Sequence, residues 1–279
     1  MRFDGLAVLI TGGSSGIGKR LALDLARLGA RVAIASHDSE RLQEAATEVS
    51  KVATRSLAIV CDVASDADVE RMGRAVLDGF GSLDVLVNNA GYAEYRTFAD
   101  TEPADVRRLV EVNLIGAMRC IRTFLPPMMA RRSGTIVNMA SIAGRVPLTP
   151  NSVYCASKHG LVALSQALRY ELEVFDIRVH VICPGRAETP FFDHETFRTR
   201  RPRAETRYTT SVEHISRATL DAMRSGRFMT YVPRTLGIMA WALNAWPWLI
   251  RPMFDRVMRA RIRSYYAVDG AGRAGHGRN

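Results

Sequence analysis

Tyr154 and Lys158, in the stretch Tyr154-Cys155-Ala156-Ser157-Lys158, have the types and spacing for acid-base chemistry. Four residues apart on a helix, they share one face and can act on one substrate atom. A phenol with a pKa of about 10 is a poor proton donor and acceptor near neutrality, and lowering it by about three units takes roughly 4 kcal/mol of preferential anion stabilisation. An ammonium group about 4 Å away, at an effective dielectric of about 20, supplies roughly that amount. Lys158 is therefore expected to lower the Tyr154 pKa, provided that the rest of the chain builds a site around the pair. By itself the spacing describes many neighbouring pairs on helix surfaces.

The elements that must position this pair begin with the apolar run Leu6 to Ile10. Thr11-Gly12-Gly13-Ser14-Ser15-Gly16-Ile17-Gly18 follows, then a helical pattern through Leu21, Leu25 and Leu28. In a strand, glycine-rich turn and helix, the glycines let backbone approach a pyrophosphate closely, and the helix N-terminus offers N–H groups and a positive dipole end. The next strand, Arg31 to Ala35, ends at Ser36-His37. An acid at that place would accept hydrogen bonds from an adenosine ribose and repel a phosphate, but Asp38 lies beyond it. Ser36 can donate to a 2′-phosphate and His37 can add positive charge, so NADP(H) is expected over NAD(H).

Strand and helix patterns keep alternating. A helix over Glu40 to Val49 leads to a strand at Leu57 to Val60, then Cys61-Asp62-Val63 and a helix through Val69, Met72, Val76 and Leu77. Asp84 to Val87 runs into Asn88-Asn89-Ala90-Gly91, and a helix around Val106 to Ile121 carries Asn113 inside it. An asparagine in mid-helix is mildly unfavourable, so Asn113 is either a tolerated cost or a site residue. Ser141 follows the strand Thr135 to Met139, and Pro147 to Pro150 set up the start of the Tyr154 helix. Strands at Arg178 to Ile182, ending in Cys183-Pro184-Gly185, and at Met229 to Val232 complete the pattern. The fold class is α/β: a doubly wound, mostly parallel Rossmann sheet with helices on both faces, whose strand ends face one crevice.

The chain of 279 residues, 47% of them hydrophobic, is long enough for one large domain with a proper core. Its N-terminus shows no charged start, long apolar stretch and cleavage site before the first strand, which predicts a cytoplasmic protein. Cys61, Cys120, Cys155 and Cys183 have no metal or redox spacing and read as buried core residues in a reducing compartment; no metal is expected. The net charge of +10 gathers late, at Arg198, Arg200, Arg201, Arg203 and Arg207 and again at Arg251, Arg256, Arg259, Arg261 and Arg263. Neither cluster is interleaved with aromatics in a nucleic-acid pattern, and no nucleic-acid partner is expected.

Over about the first 233 residues the sequence resembles the short-chain dehydrogenase/reductases, single-domain enzymes that move hydride between NAD(P) and an alcohol or carbonyl. The resemblance rests on Thr11-Gly12 with Gly16 and Gly18, Asn88-Asn89-Ala90-Gly91, Asn113, Ser141, Tyr154 with Lys158, and Pro184-Gly185 with Thr189. It implies that Tyr154 is the acid-base, that Ser141 holds the same substrate oxygen, and that Lys158 lowers the phenol pKa and holds the nicotinamide ribose. Asn113 would support a water joining Lys158 to solvent. Gly12, Ser14, Ser15, Gly16, Ile17 and Gly18 would surround the pyrophosphate, with Ser36 and His37 at the adenosine 2′-position. Asp62 and Val63 would lie by the adenine, Asn89, Ala90 and Gly91 by the riboses, and Thr189 by the carboxamide, with Pro184 and Gly185 also at the cofactor. Members that prefer NADP often carry a basic residue where this chain has Ser15 and an arginine where it has His37.

The last third bears on substrate. Phe191, Phe192 and Phe197 follow Thr189 and are candidates either for an apolar lid or for anchoring a surface loop to the core. The expected organisation is a Rossmann-type domain over 1–233, an apolar and basic helical extension over 234–268, and a disordered tail over 269–279. Leu236 to Ile250 holds Trp241, Trp246 and Trp248 between Arg234 and Arg251. About twenty apolar residues are needed to span a hydrocarbon core, which this stretch lacks. It is expected either to attach peripherally to the inner face of an anionic membrane through 236–263 or to pack against its own domain or a second subunit. The leading function is NADP(H)-linked reduction of a lipophilic ketone or aldehyde, such as a fatty-acyl derivative or steroid, or the reverse oxidation, by a homo-oligomer (dimer or tetramer). The alternatives are reduction of 3-oxoacyl groups on an acidic carrier protein docked by the Arg198 to Arg207 cluster, and a cofactor sensor that binds NADP(H) without turnover.

Overall fold

The computed structural model describes residues 1–187, 189, 196–197 and 209–273, with side chains as far as 267. Phe191, Phe192 and the arginines between 198 and 207 lie outside the described residues, as does the tail from 274. Seven strands form one parallel sheet in the order β3-β2-β1-β4-β5-β6-β7. They are β1 (Ala7–Thr11), β2 (Arg31–Ser36), β3 (Ser56–Val60), β4 (Val85–Asn88), β5 (Gly134–Met139), β6 (Ile177–Pro184) and β7 (Met229–Val232). The chain winds outward from β1 to β3, then returns to lay β4 against the other side of β1, with Val8 to Ile10 beside Val85 to Val87. That reversal makes the carboxyl ends of β1 and β4 the switch point, where an open parallel sheet has its ligand crevice.

The side-chain alternation of each strand feeds two cores. Val8, Ile10, Val32, Ile34, Val85 and Val87 face one side and pack with α1 (Gly16–Arg27) and α2 (Ser39–Ser50). Ala7, Leu9, Ala33, Ala35 and Leu86 face the other and pack with α3 (Asp66–Phe80) and the helices on that side. Burial on both faces explains why the central strands read as continuous apolar runs in the sequence. All four cysteines are buried and free.

The helix expected around Val106 to Ile121 is a longer, composite element. α4 (Pro103–Val110) passes through a π turn at Glu111–Ile115, with Asn113 at its centre, into α5 (Gly116–Arg131). The turn inserts an extra residue and shifts the helix face, a feature often found at functional sites. α5 also continues past the expected end at Ile121 and through Pro126 and Pro127; Phe124 and Met128, buried on either side of the prolines, hold the last turn against the sheet.

α6 (Ser152–Glu173) carries the Tyr154 and Lys158 pair and is fixed to the sheet by a buried polar chain. Asn88 donates to Asn138 Oδ1 (2.8 Å), Asn138 donates to Ser165 Oγ (2.8 Å), and Ser165 donates to the Leu161 carbonyl (2.6 Å). Three elements, β4, β5 and α6, are thereby held in one register, because a buried amide left unpaired costs about 1–3 kcal/mol. After β6 come α7 (Val212–Ser225), β7, α8 (Thr235–Ala245) and α9 (Pro247–Arg273). The extension thus folds as two helices against the domain, and α9 runs helical past 269, into the stretch read as disordered. Among the described residues no helix is long and apolar enough to cross a membrane.

Candidate active site

A cavity of about 720 Å³ opens along the carboxyl ends of β1, β2, β4, β5 and β6. At its centre the switch point is tied by side chains: Asn89 donates to the carbonyls of Thr11 (3.0 Å) and Gly12 (2.9 Å), and the backbone N–H groups of Asn89 and Ala90 donate to Thr11 Oγ1 (both 3.1 Å). Of the expected cofactor residues, Gly12, Ser14, Ser15, Gly16, Ile17, Ser36, His37, Asp62, Val63, Asn89, Ala90, Gly91, Pro184, Gly185 and Thr189 line this cavity, as do Ser141, Tyr154 and Lys158. Gly18 and Asn113 are not among the lining residues.

The glycine turn fits a dinucleotide. Gly12 adopts a φ of 63°, and a Cβ there would lie 2.9 Å from Ala90 Cα; one on Gly18 would lie 2.2 Å from the Gly12 carbonyl oxygen. Any side chain at either place would fill the space between turn and crevice. The first turn of α1 carries no acid and its N-cap, Ser15, makes no side-chain capping bond, whereas α2, α3 and α7 are capped by Asp38, Ser65 and Ser211. The N–H groups at the start of α1 are therefore directed to the cavity with an unopposed positive dipole end.

At the adenosine end, Ser36 Oγ accepts from Ser14 Oγ (2.9 Å) and from the Asp38 N–H (3.2 Å), which leaves its own proton to donate. Asp38 also lines the cavity, but its carboxylate is engaged by the Arg41 N–H (3.0 Å) and the Arg41 guanidinium (3.4 Å). Arg41 and Arg108 are lining residues that the sequence reading missed. Arg41 follows the helix cap by three positions and was within reach of a positional argument; Arg108 arrives from α4, with no local signal. Arg108 Nη2 lies 2.6 Å from Asp62 Oδ2. Burial alone would raise the Asp62 carboxyl, but the Ala64 N–H and Arg108 hold it below its usual value.

At the other end Ser141, Tyr154 and Lys158 converge. Ser141 Oγ accepts from the Ala143 N–H (3.1 Å), which fixes its rotamer at the end of β5. Burial pushes the Tyr154 phenol well above its usual pKa, and a hydrogen bond with Ser141 opposes that shift. Lys158, only 3% exposed, donates to the Met139 carbonyl (3.0 Å) and lies 5.8 Å from the centre of the Tyr154 ring. Its pKa falls to about 8 through burial. The expectation that Lys158 lowers the Tyr154 pKa is corrected: Lys158 is not among the groups that move the phenol here, because its ammonium faces the β5 backbone and both groups lose solvation together.

Asn113, in the π turn, accepts the Tyr92 N–H (2.9 Å) and donates to the Tyr92 carbonyl (2.8 Å) and Ser157 Oγ (3.3 Å). It clips the loop after β4 to α6. Its amide is paired by these contacts, and it does not line the cavity. Two lining residues come from beyond the strand ends: Phe197, one of the three proposed lid phenylalanines, and Arg261 of α9. Arg261 had no signal in the sequence apart from its charge, since only the folding of α9 back over the domain brings it here.

The sequence model of the short chain dehydrogenase family matches residues 6–199. The ketoacyl reductase HetN of Nostoc sp. is 38% identical over 181 residues, which make up 65% of this chain and 63% of the Nostoc protein, less than two thirds of that protein's length. A short chain dehydrogenase/reductase from Burkholderia phymatum, solved in complex with NAD, superposes with a TM-score of 0.80 at 25% identity, covering 88% of this chain and 95% of that one. A short-chain dehydrogenase from Sphingobium yanoikuyae, solved with NADPH, does so with a TM-score of 0.77 at 26% identity, covering 86% and 92%. Because the family match takes in both the β1 turn and the helix of Tyr154 and Lys158, the chain belongs to the short chain dehydrogenase family of NAD(P)-binding oxidoreductases.

Proposed function

We propose that this protein interconverts a lipophilic ketone or aldehyde and its alcohol, with NADP(H) as the hydride partner. The observation that carries the reading is that Ser141, Tyr154 and Lys158 converge in the wall of the cavity that also contains the glycine turn. The nicotinamide, when bound, supplies or accepts the hydride; the chain's own groups handle the proton and the position of the oxygen. Tyr154 gives its phenolic proton to the carbonyl oxygen in reduction and takes it back in oxidation. Ser141 donates to the same oxygen. Lys158, held by the Met139 carbonyl in the cavity wall, holds the nicotinamide ribose. Asn113 positions this group through Tyr92 and Ser157 and supports the water by which Lys158 exchanges protons with solvent. Thr189 would hold the carboxamide, with Pro184 and Gly185 lining the cavity beside it.

The NADP(H) preference is supported by Ser36 with a proton to donate, by exposed His37, and by Asp38 being neutralised by Arg41. The extension over 236–263 is read as peripheral attachment to the inner face of a membrane, and the enzyme as a homo-oligomer. A second reading, reduction of 3-oxoacyl groups on a carrier protein, is favoured by the ketoacyl reductase among the relatives. A panel of ketones, aldehydes and alcohols run with NADPH and NADH tests the proposal: turnover of long-chain carbonyls with NADPH supports it. Comparable efficiency with NADH removes the cofactor preference, inhibition by free carrier protein favours the second reading, and cofactor binding without turnover on the whole panel removes the enzyme.

A further inference from the structure

Nine of the sixteen large apolar side chains exposed among the described residues belong to the 29 positions from Ile238 to Tyr266. They are not spread around the helices. α9 has an inner row and an outer row, both apolar. On the inner row, Ile250 and Phe254 pack against Ile142, Val146, Ala240 and Leu243. Further along it, Ile262 and Tyr265 join the cluster of Ala93, Tyr95 and Phe197 against which Tyr154 packs. Tyr265 is 1% exposed and donates to Asp100 Oδ2 (3.0 Å), while Arg261 reaches the cavity wall. The inner row therefore closes the substrate end of the site.

The outer row repeats every four residues: Leu249, Met253 and Val257 are 58%, 68% and 55% exposed, with Trp248 at 75% beside its start. Arg251, Arg256, Arg259 and Arg263 are exposed around it. From 234 to 267 the chain holds six arginines and one acid, Asp255, whose carboxylate lies 3.8 Å from Arg259. A second copy of the chain is a poor occupant for this face. An isologous contact would press arginine against arginine around the apolar row, with only Asp255 to offset them. An anionic lipid surface satisfies both parts, since apolar side chains and tryptophans enter the headgroup boundary while arginines reach the phosphates.

We propose that α8 and α9 dock the enzyme flat on an anionic bilayer through the outer row of α9, and that the same helix sets the mouth of the substrate cavity against the lipid, so that a lipophilic carbonyl reaches Tyr154 from the bilayer. The second half rests on the carbonyl reductase reading; the first does not. The test is flotation of the full-length protein with vesicles of phosphatidylcholine, with and without phosphatidylglycerol. The wild type is compared with a Leu249→Ser/Met253→Ser/Val257→Ser variant and with Arg256→Gln, each checked for retained cofactor binding.

Wild type is expected to float with the anionic vesicles and at least about tenfold less with neutral ones. Arg256→Gln should weaken anionic binding about fivefold at low salt, and the triple variant should weaken it by roughly 100-fold or more. The triple variant should keep wild-type turnover of a small water-soluble carbonyl while its KM for a long-chain carbonyl delivered in anionic vesicles rises. Failure of the wild type to float at low salt overturns the docking, and so does self-association of the wild type that the triple variant abolishes without any flotation. Flotation with no turnover of vesicle-borne carbonyls overturns the lipid entry route and leaves the docking standing.

Discussion

Replacing Lys158 by methionine tests the electrostatics of the site without any substrate. The folded protein holds this ammonium at a pKa of about 8 against an ordinary 10.5, because burial disfavours the charged form. The difference, about 2.5 units, corresponds to about 3 kcal/mol at about 1.4 kcal/mol per unit. The sign follows from linkage. Below pH 8 both folded and unfolded chains carry the proton, and the folded state bears the whole cost of burying it. Between pH 8 and 10.5 the unfolded chain holds the proton while the folded chain has released it, so this cost is relieved as pH rises. Lys158→Met removes the titration. Its stability relative to wild type should therefore be greatest near pH 7 and should fall by about 2 kcal/mol by pH 9.5. The lost bond to the Met139 carbonyl shifts the two curves by a constant and leaves that change intact. Urea denaturation of both proteins without cofactor, at matched ionic strength and at several pH values, measures it. Cysteine and tyrosine titrations cancel in the comparison. A difference that stays constant within about 0.5 kcal/mol from pH 7 to 9.5 would refute the reasoning and return Lys158 to an ordinary surface-like pKa.

Tyr154→Phe should lower turnover by about 10³-fold, within the range of a lost general acid, while NADPH affinity by fluorescence titration changes little; retained turnover would remove Tyr154 from the chemistry. Gly18→Ala would place a Cβ 2.2 Å from the Gly12 carbonyl oxygen. It should lower stability by about 1–3 kcal/mol and weaken cofactor binding, both readable from thermal shifts with and without NADPH. Asn138→Ala breaks the buried chain between Asn88 and Ser165 and leaves both with a lost partner, so denaturation should show a loss of about 2–4 kcal/mol. Arg41→Ala frees the Asp38 carboxylate at the adenosine end, and the NADPH-to-NADH efficiency ratio should fall at least about tenfold, almost all of it in the KM for NADPH; an unchanged ratio would take Arg41 out of cofactor selection.

Much of the fold was legible along the chain because a parallel sheet buried on both faces leaves continuous apolar runs, and β1, β2, β4 and β5 carry them. The residues at their carboxyl ends were legible for the same reason. Once the strand order has a reversal, Gly12, Asn89, Ser141 and Gly185 must meet at one edge wherever they stand in the sequence. Tyr154 and Lys158 could be paired from helical spacing alone. Their pKa values could not, since spacing gives a distance between two residues and says nothing of the Met139 carbonyl that holds one of them or of the water that both lose.

The tertiary structure decided what depends on contacts between distant segments. Asn113 read in the sequence as either a local cost in a helix or a site residue; its partners, Tyr92 and Ser157, were set by the π turn. Arg108 and Arg261 reached the cavity from helices whose sequence patterns describe only their own faces. For the last helix the sequence supplied an apolar and basic composition with two readings, lipid or packing, and the fold assigned packing to one row of α9 and exposure to the other. A one-dimensional pattern determines which side chains share a face; which face meets protein and which meets solvent is set by where the chain brings the helix back.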